Sequence, residues 1–394
     1  MILYIVIRYY LFHITSPRRM SNGIMDFYKT FLRPLLFRFD PEWIHDRLIG
    51  LGEMMEYFPP FLKGLRGFYG FADPRLETTV AGIRFANPVG LAAGFDKNGR
   101  IIPFLASLGF GHIEVGSVSF DPSEGNPKPR LFRLPMDEAV VVHYGLPNEG
   151  APRIHARLRR IYPKVTVPLG VNLVNTNRGP DRLPRSHEEI IEDYVQSARL
   201  LKDTADYLCL NLSCPNTEAG KDFFLQKGPV RDLLTALTEI RLSRPLFLKV
   251  SPAGGVRGIE TLLEAVDPFP IVSGFVFNLP RGKPDNLKTP VHVWKDWPGA
   301  VAGRPVREVA NTWIREMYRR MDRDRYVLIG TGGIFGPEDA YEKIRLGASL
   351  VQILTSLPFE GPGVVKRINR GLCRLLERDG LHTVSEAVGT GNPV

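Results

Sequence analysis

From about residue 77 onward, short apolar runs alternate with longer stretches of helical period. The runs that read as buried strands are 89–93, 112–116, 169–173, 207–212, 246–250, 274–277, 326–330 and 350–354. Helical stretches fall between most of them, at 188–202, 230–243, 258–266, 307–320, 337–346 and 362–379. Eight strands alternating with helices over ~300 residues is the arithmetic of an α/β fold, a (β/α)8 TIM barrel. An open doubly wound sheet would carry Gly-x-Gly-x-x-Gly after its first strand, and this chain has none there.

The chain ahead of the barrel is patterned differently. Residues 25–39 carry Phe27, Phe31, Leu32, Leu35, Leu36 and Phe39, with Asp26 placed to cap the start. Pro41 then opens a second helix, on which Ile44, Leu48, Leu51 and Met55 form one apolar stripe. Pro59-Pro60 ends it. This predicts two short amphipathic helices, whose stripe either packs on the main domain or meets a membrane or apolar ligand. Residues 1–14 are apolar and aromatic but shorter than the ~20 residues that span a bilayer. Arg18 and Arg19 follow the run rather than precede it, unlike a secretory signal. The preferred reading is an overlong start, with Met20 or Met25 as initiator, and the alternative is a membrane-touching extension. The expected division is 1–24 as that start or extension, 25–70 as a helical module, and 71–394 as the barrel.

Composition narrows the function. Net charge is +9 with a pI of about 9.4, which suits nucleic acid, an anionic membrane or anionic small molecules. No zinc-finger spacing, RNA-binding signature or long Lys/Arg block is present, so nucleic acid is set aside. The three cysteines, Cys209, Cys214 and Cys373, are neither a disulfide framework nor metal-spaced. No metal is expected.

In such barrels the working residues stand at the C-terminal ends of the strands. Those ends here offer Ala93-Gly94 and Lys97, then Ser117, Asn172, Asn211 through Asn216, Lys249, Asn278, Gly332-Gly333 and Thr355. Hydrogen-bonding groups recur at nearly every end, which solvation does not explain. Pro215 forces a turn inside Asn211-Leu212-Ser213-Cys214-Pro215-Asn216, so a thiol and two amides project from one rigid strand end. Gly332 and Gly333 let backbone approach an anion, beside a helix start near Pro337. Two strand-end lysines require anionic or electron-rich partners. Phosphate, two lysines and several amides suit flavin mononucleotide (FMN), and a sugar phosphate fits less fully. Cys214 can serve as the base.

The segments 90–99 (Gly-Leu-Ala-Ala-Gly-Phe-Asp-Lys-Asn-Gly), 125–134 (Gly-Asn-Pro-Lys-Pro-Arg-Leu-Phe-Arg-Leu), 211–217 and 339–345 (Asp-Ala-Tyr-Glu-Lys-Ile-Arg) together resemble the dihydroorotate dehydrogenase family, most of all its quinone-linked, membrane-associated class. The resemblance runs from Met25 to the end. It implies FMN contacts from Ala93, Gly94, Lys97, Ser117, Asn172, Asn211, Lys249, Gly303, Gly333 and Thr355. It implies substrate contacts from Lys97, Asn211, Asn216 and Asn278, with Cys214 as catalytic base and His45 and Arg133 at a quinone passage. The implied reaction oxidises dihydroorotate to orotate in pyrimidine biosynthesis, with quinone as acceptor. The implied location is peripheral, on the cytoplasmic face of a membrane (the inner membrane if bacterial), through the N-terminal helices.

Four positions depart from the family pattern. Cys214 stands where the quinone-linked class has Ser, and a thiol is the more acidic group. Val142 stands where an Asn holds the substrate, a loss worth ~1–3 kcal/mol for a buried polar ligand. Leu279 replaces a Thr, and Leu354 replaces a Tyr near flavin and quinone. Compensating contacts from Asn148 or His143 are one explanation, and a paralogous FMN oxidoreductase for another cyclic dihydro-substrate is a second. A flavin-binding protein without turnover is the reading from a different class.

Overall fold

The structure, a computed structural model, describes residues 27–179, 185–213, 223–251 and 254–392. A π-helical turn, Tyr28–Leu32, runs into α1 (Arg33–Leu36). Helix α2 (Pro41–Glu56) starts as the sequence predicts, with Pro41 in its first turn and the Asp40 carboxylate accepting from Trp43 N at 2.8 Å. One expectation needs correction. Pro59-Pro60 does end α2, but the same prolines open a third helix, α3 (Pro59–Tyr69). Proline lacks only a donor that the first turn does not use, so a stop for one helix is a start for the next.

A hairpin of β1 (Thr78–Val80) and β2 (Ile83–Phe85) follows, missed from sequence because each strand is three residues long. Then the barrel begins. Strand β3 (Val89–Leu91) leads through α4 (Ile102–Ser107) to β4 (His112–Val118). The chain next leaves the barrel for β5 (Leu131–Leu134) and β6 (Ala139–Val142) before α5 (Ala151–Ile161). Three βα steps follow, β7 (Leu169–Leu173) with α6 (His187–Leu201), β8 (Tyr207–Asn211) with α7 (Lys227–Glu239) and β9 (Leu246–Val250) with α8 (Gly255–Val266), and then strand β10 (Val272–Phe277). A second excursion holds α9 (Val291–Trp294) and β11 (Ala300–Gly303) ahead of α10 (Arg307–Arg320). The barrel closes with β12 (Val327–Gly330), α11 (Pro337–Arg345) and β13 (Ala348–Ile353), then α12 (Ser356–Glu360) and α13 (Val364–Arg378).

The eight barrel strands are β3, β4, β7, β8, β9, β10, β12 and β13, in that order round the ring, and β13 pairs back onto β3. All eight pairings are parallel. Each was expected from sequence to within a few residues. The period of two sorts their side chains. Leu208, Leu210, Leu246 and Leu248 face the helices and join the main core. Tyr207, Cys209, Phe247, Val276, Ile329 and Leu350 fill the interior, where Val80 and Phe85 of the hairpin pack against them. The interior is therefore apolar at the start of the strands and, as the next positions show, polar at their ends.

Strands β5, β6 and β11 form an antiparallel sheet outside the barrel, with β6 in the middle. The Asp137 carboxylate, in the turn between β5 and β6, accepts from the backbone N–H of Lys288 and Thr289, and so pins the long β10–β11 connection. Val140, Ala302, Phe335 and Phe359 pack together with Phe37, Leu131, Val142 and Leu279, joining this sheet to the barrel mouth and the N-terminal helices.

Candidate active site

A cavity of ≈ 280 Å³ lies between the barrel mouth, the small sheet and α2. Every described residue expected at the flavin, substrate or quinone sites lines it, except Asn172. Asn172 is wholly buried one hydrogen bond further in, its Oδ1 accepting from Ser117 Oγ. Cys214 and Asn216 lie outside the described residues.

The convergence follows from strand parity. Tyr207, Cys209 and Asn211 are successive interior positions of β8, so the amide of Asn211 stands at the mouth above an apolar row. The same step brings up Lys249 on β9 and Asn278 just beyond β10. The Gly116–Ser117 peptide is cis. Asn211 Nδ2 donates to Ser117 Oγ at 3.1 Å, and Asn278 Nδ2 donates to Asn211 Oδ1 and to the Ser213 carbonyl, each at 3.0 Å. Asn172 Nδ2 donates to Glu114 Oε1 at 2.9 Å, a fully buried carboxylate. Glu114 and its neighbour Gln352 were missed from sequence. Their signal is a charge and an amide inside otherwise apolar strands, at positions facing the barrel axis.

Lys97 is set by the turn after β3. The buried Asp96 carboxylate accepts from Arg100 N at 2.9 Å and Ile101 N at 2.8 Å, which fixes the chain around the lysine. Lys97 Nζ sits 4.1 Å from the centroid of the Tyr144 ring. Burial pulls its ammonium down to about 8, against the opposing pull of Asp46 and Glu42. The electron-rich partner that a buried lysine requires is thus an aromatic face, from a loop residue that sequence reasoning did not single out. The two polar residues it did suggest are committed elsewhere. Asn148 Oδ1 accepts from Gly150 N at 2.9 Å, and its Nδ2 donates to Ser119 Oγ at 2.8 Å and the Leu146 carbonyl at 3.0 Å. His143 turns onto Asn126. Neither Asn148 nor His143 lines the cavity. Val142 and Leu279 do line the cavity and leave that wall apolar.

On the opposite wall, Gly332 (φ +86°) and Gly333 (φ +72°) make the turn after β12. A Cβ on Gly333 would lie 2.5 Å from Arg307 Cβ, so only glycine fits. Arg307 Nη1 donates to Asp339 Oδ1 at 2.8 Å, and Asp339 Oδ2 accepts from Phe335 N at 2.9 Å and Gly336 N at 3.1 Å, bracing the start of α11. Ser356 Oγ, wholly buried and lining the cavity, has no partner among the described residues. Gln352 Oε1 is in the same position. A cradle that a Cβ would fill, an unused hydroxyl, an unused carbonyl and two lysines fit a phosphorylated, hydrogen-bonding ring system such as FMN.

The third wall is α2. Ile44, His45 and Leu48 face the cavity. The His45 ring meets Phe95 edge-on at 5.0 Å, and burial together with the Lys97 charge lowers it to about 3, so it is a neutral ring at physiological pH. Arg133 Nη1 donates to the Phe39 carbonyl at 2.8 Å, and its guanidinium lies 4.6 Å from the Phe37 ring centroid. A buried pair, Arg130 Nη2 to Glu42 Oε1 at 2.8 Å, ties α2 to the start of β5. The α2 wall is therefore apolar with one basic edge, unlike the amide-lined barrel mouth.

Residues 75–376 match the sequence profile of the family described as dihydroorotate dehydrogenase. A protein of Deinococcus deserti named dihydroorotate dehydrogenase (quinone) is 37% identical over 371 residues, 92% of this chain and 99% of its own. A protein of the same name from Halobacterium salinarum is 41% identical over 320 residues, 80% of this chain and 86% of its own. Among solved structures, the dihydroorotate dehydrogenase of Eimeria tenella in complex with ferulenol superposes with a TM-score of 0.77 at 29% identity, covering 89% of this chain and 95% of that one. The ligand-free form of that enzyme gives 0.79 at 28% identity, covering 90% and 100%. The chain belongs to the dihydroorotate dehydrogenase family, in its quinone-linked class.

Proposed function

We propose that this chain oxidises dihydroorotate to orotate and passes the electrons to a quinone, using FMN held at the barrel mouth. The observation that carries the reading is one cavity with two kinds of wall: amides and lysines from the strand ends, and an apolar wall from α2 and the small sheet. The polar side suits a small anionic ring, and the apolar side suits a quinone. FMN, when bound, supplies a two-electron acceptor beside the substrate.

This chain's own groups supply the rest. Lys97 and the amides of Asn211, Asn278 and Asn216 hold the substrate ring and its carboxylate. Cys214 takes the proton from the ring carbon next to the one that loses hydride. The turn at Gly332-Gly333, with Thr355 and Ser356, receives the phosphate, and Lys249 stands beside the ring. His45 and Arg133 border the quinone's entry between α1 and α2. Phe31, Phe39, Trp43, Tyr57, Phe58 and Phe61 are 44–83% exposed on the N-terminal helices, which supports peripheral contact with a membrane at its cytoplasmic face. Among the described residues no helix is long and apolar enough to cross one.

The test is anaerobic mixing of the purified yellow protein with dihydroorotate. The flavin band should bleach rapidly, and Cys214→Ala should slow that bleaching by ~100-fold or more while leaving the flavin bound. A flavin that stays oxidised with dihydroorotate yet bleaches with dithionite sinks the substrate assignment.

A further inference from the structure

Three donors converge on the Glu114 carboxylate inside the barrel. Asn172 Nδ2 reaches Oε1 at 2.9 Å, while Tyr207 OH at 3.2 Å and Gln352 Nε2 at 3.0 Å reach Oε2. All four residues are essentially inaccessible. A carboxylate that only accepts dictates the direction of everything bonded to it. Because Asn172 turns its Nδ2 to Glu114, its Oδ1 accepts from Ser117 Oγ. The Ser117 proton being used there, Ser117 Oγ accepts from Asn211 Nδ2. Asn211 is left with its Oδ1 toward Asn278, which donates, and the Leu279 N–H and Ser213 carbonyl hold Asn278 in that same orientation. On the other branch, Gln352 spends its Nε2 on Glu114, and its Oε1 remains an unused acceptor in the cavity wall.

We propose that Glu114 is a positioning residue: it holds Asn172, Ser117 and Gln352 in one donor-to-acceptor direction, the direction that backbone groups impose on Asn278 at the far end of the row, and so fixes which atoms the site presents to substrate and flavin. Its role rests on the site proposed above. Each amide in the chain is nearly symmetric in shape, so packing alone does not choose its orientation. A buried donor facing a donor is strongly unfavourable, so the acceptor-only group at one end and the backbone groups at the other must agree along the row.

The test is a polarity swap. Glu114→Gln keeps the volume but offers one donor end, which faces Asn172 Nδ2 or the Tyr207–Gln352 pair. Orotate affinity, titrated by the perturbation of the flavin spectrum, should fall tenfold or more. The double variant Glu114→Gln/Asn172→Asp moves the acceptor-only group one residue along. Asn172→Asp then accepts from both the new amide and Ser117, and the remaining amide oxygen still accepts from Tyr207 and Gln352. Affinity should return to within about threefold of the unaltered protein, and the flavin midpoint potential, measured with dithionite and needing no substrate, should shift in the single variant and move back in the double. Thermal melting separates these effects from loss of fold. The proposal is overturned by a single variant that binds orotate normally, or by a double variant that stays as weak as the single. It is equally overturned if neither variant folds, since the swap would then have failed to restore the network. If the unaltered protein does not bind orotate, the substrate reading fails by itself, and the potentials still decide the role of Glu114.

Discussion

Tyr144 packs against Lys97, the lysine proposed to hold the substrate. Its ring centroid lies 4.1 Å from the Lys97 ammonium, and the Arg130 guanidinium approaches the same ring at 5.4 Å. A desolvated cation–π contact is worth ~0.5–2 kcal/mol. Tyr144→Leu should therefore raise KM for dihydroorotate by roughly 3- to 30-fold with little change in kcat, whereas Tyr144→Phe, which keeps the π face, should behave like the unaltered protein. Equal losses in both variants would assign the effect to the hydroxyl and remove the ring from the argument. Legibility at this scale was uneven. Lys97, Asn211 and Lys249 were visible because each is polar at the end of an apolar run. Tyr144 was not, because its importance comes from a neighbour 47 positions away in sequence.

At the scale of elements, the N-terminal helices are clamped to the barrel by polar contacts rather than by their apolar stripe alone. Arg100 and Glu53 form a paired bridge between α2 and the segment before α4, and Glu56 Oε1 accepts from Phe104 N, in the first turn of α4, at 3.2 Å. Burial raises the Glu56 carboxyl from 4.5 to about 7, with Asp96 and Glu53 adding to the rise and the Phe104 bond opposing it. The folded value lies above the unfolded one, so the native state holds the proton more tightly. Stability from this group is complete below pH 4.5 and is lost as pH climbs through about 7. Glu56→Gln should then stabilise the protein at pH 8 by about 1 kcal/mol, after allowance for its partial exposure, and the difference should vanish near pH 4. Urea midpoints at the two pH values measure it. A destabilised variant at pH 8 would mean that the charged carboxylate caps α4 better than an amide does.

At the scale of the molecule, the polar clamps leave the opposite face of α1–α3 aromatic and exposed. Trp43 is 46% exposed, Tyr57 83%, Phe58 60% and Phe61 44%. Membrane binding by such a face scales with the apolar area it buries. Changing these four residues together to Ser should cut co-sedimentation with anionic vesicles by roughly tenfold or more. Turnover with a short, water-soluble quinone should stay unchanged, because none of the four lines the cavity. Undiminished vesicle binding would move the membrane contact to another surface.

By itself the sequence determined the barrel, all eight of its strands within a few residues, and most of the described polar residues at its mouth. Apolar runs of strand length are local signals, and period two places the residue that ends each run at the rim of the barrel. Only the tertiary structure decided the rest. The sheet of β5, β6 and β11 pairs segments more than 150 residues apart, as in Ala300 with Val142, and no local pattern carries that pairing. The third N-terminal helix was hidden by prolines that read equally as an end and as a beginning. In the sequence Glu114 is only a charge within an otherwise apolar run. Its partners Asn172, Tyr207 and Gln352 come from three other strands, and a hydrogen bond between strands exists only once the barrel has closed.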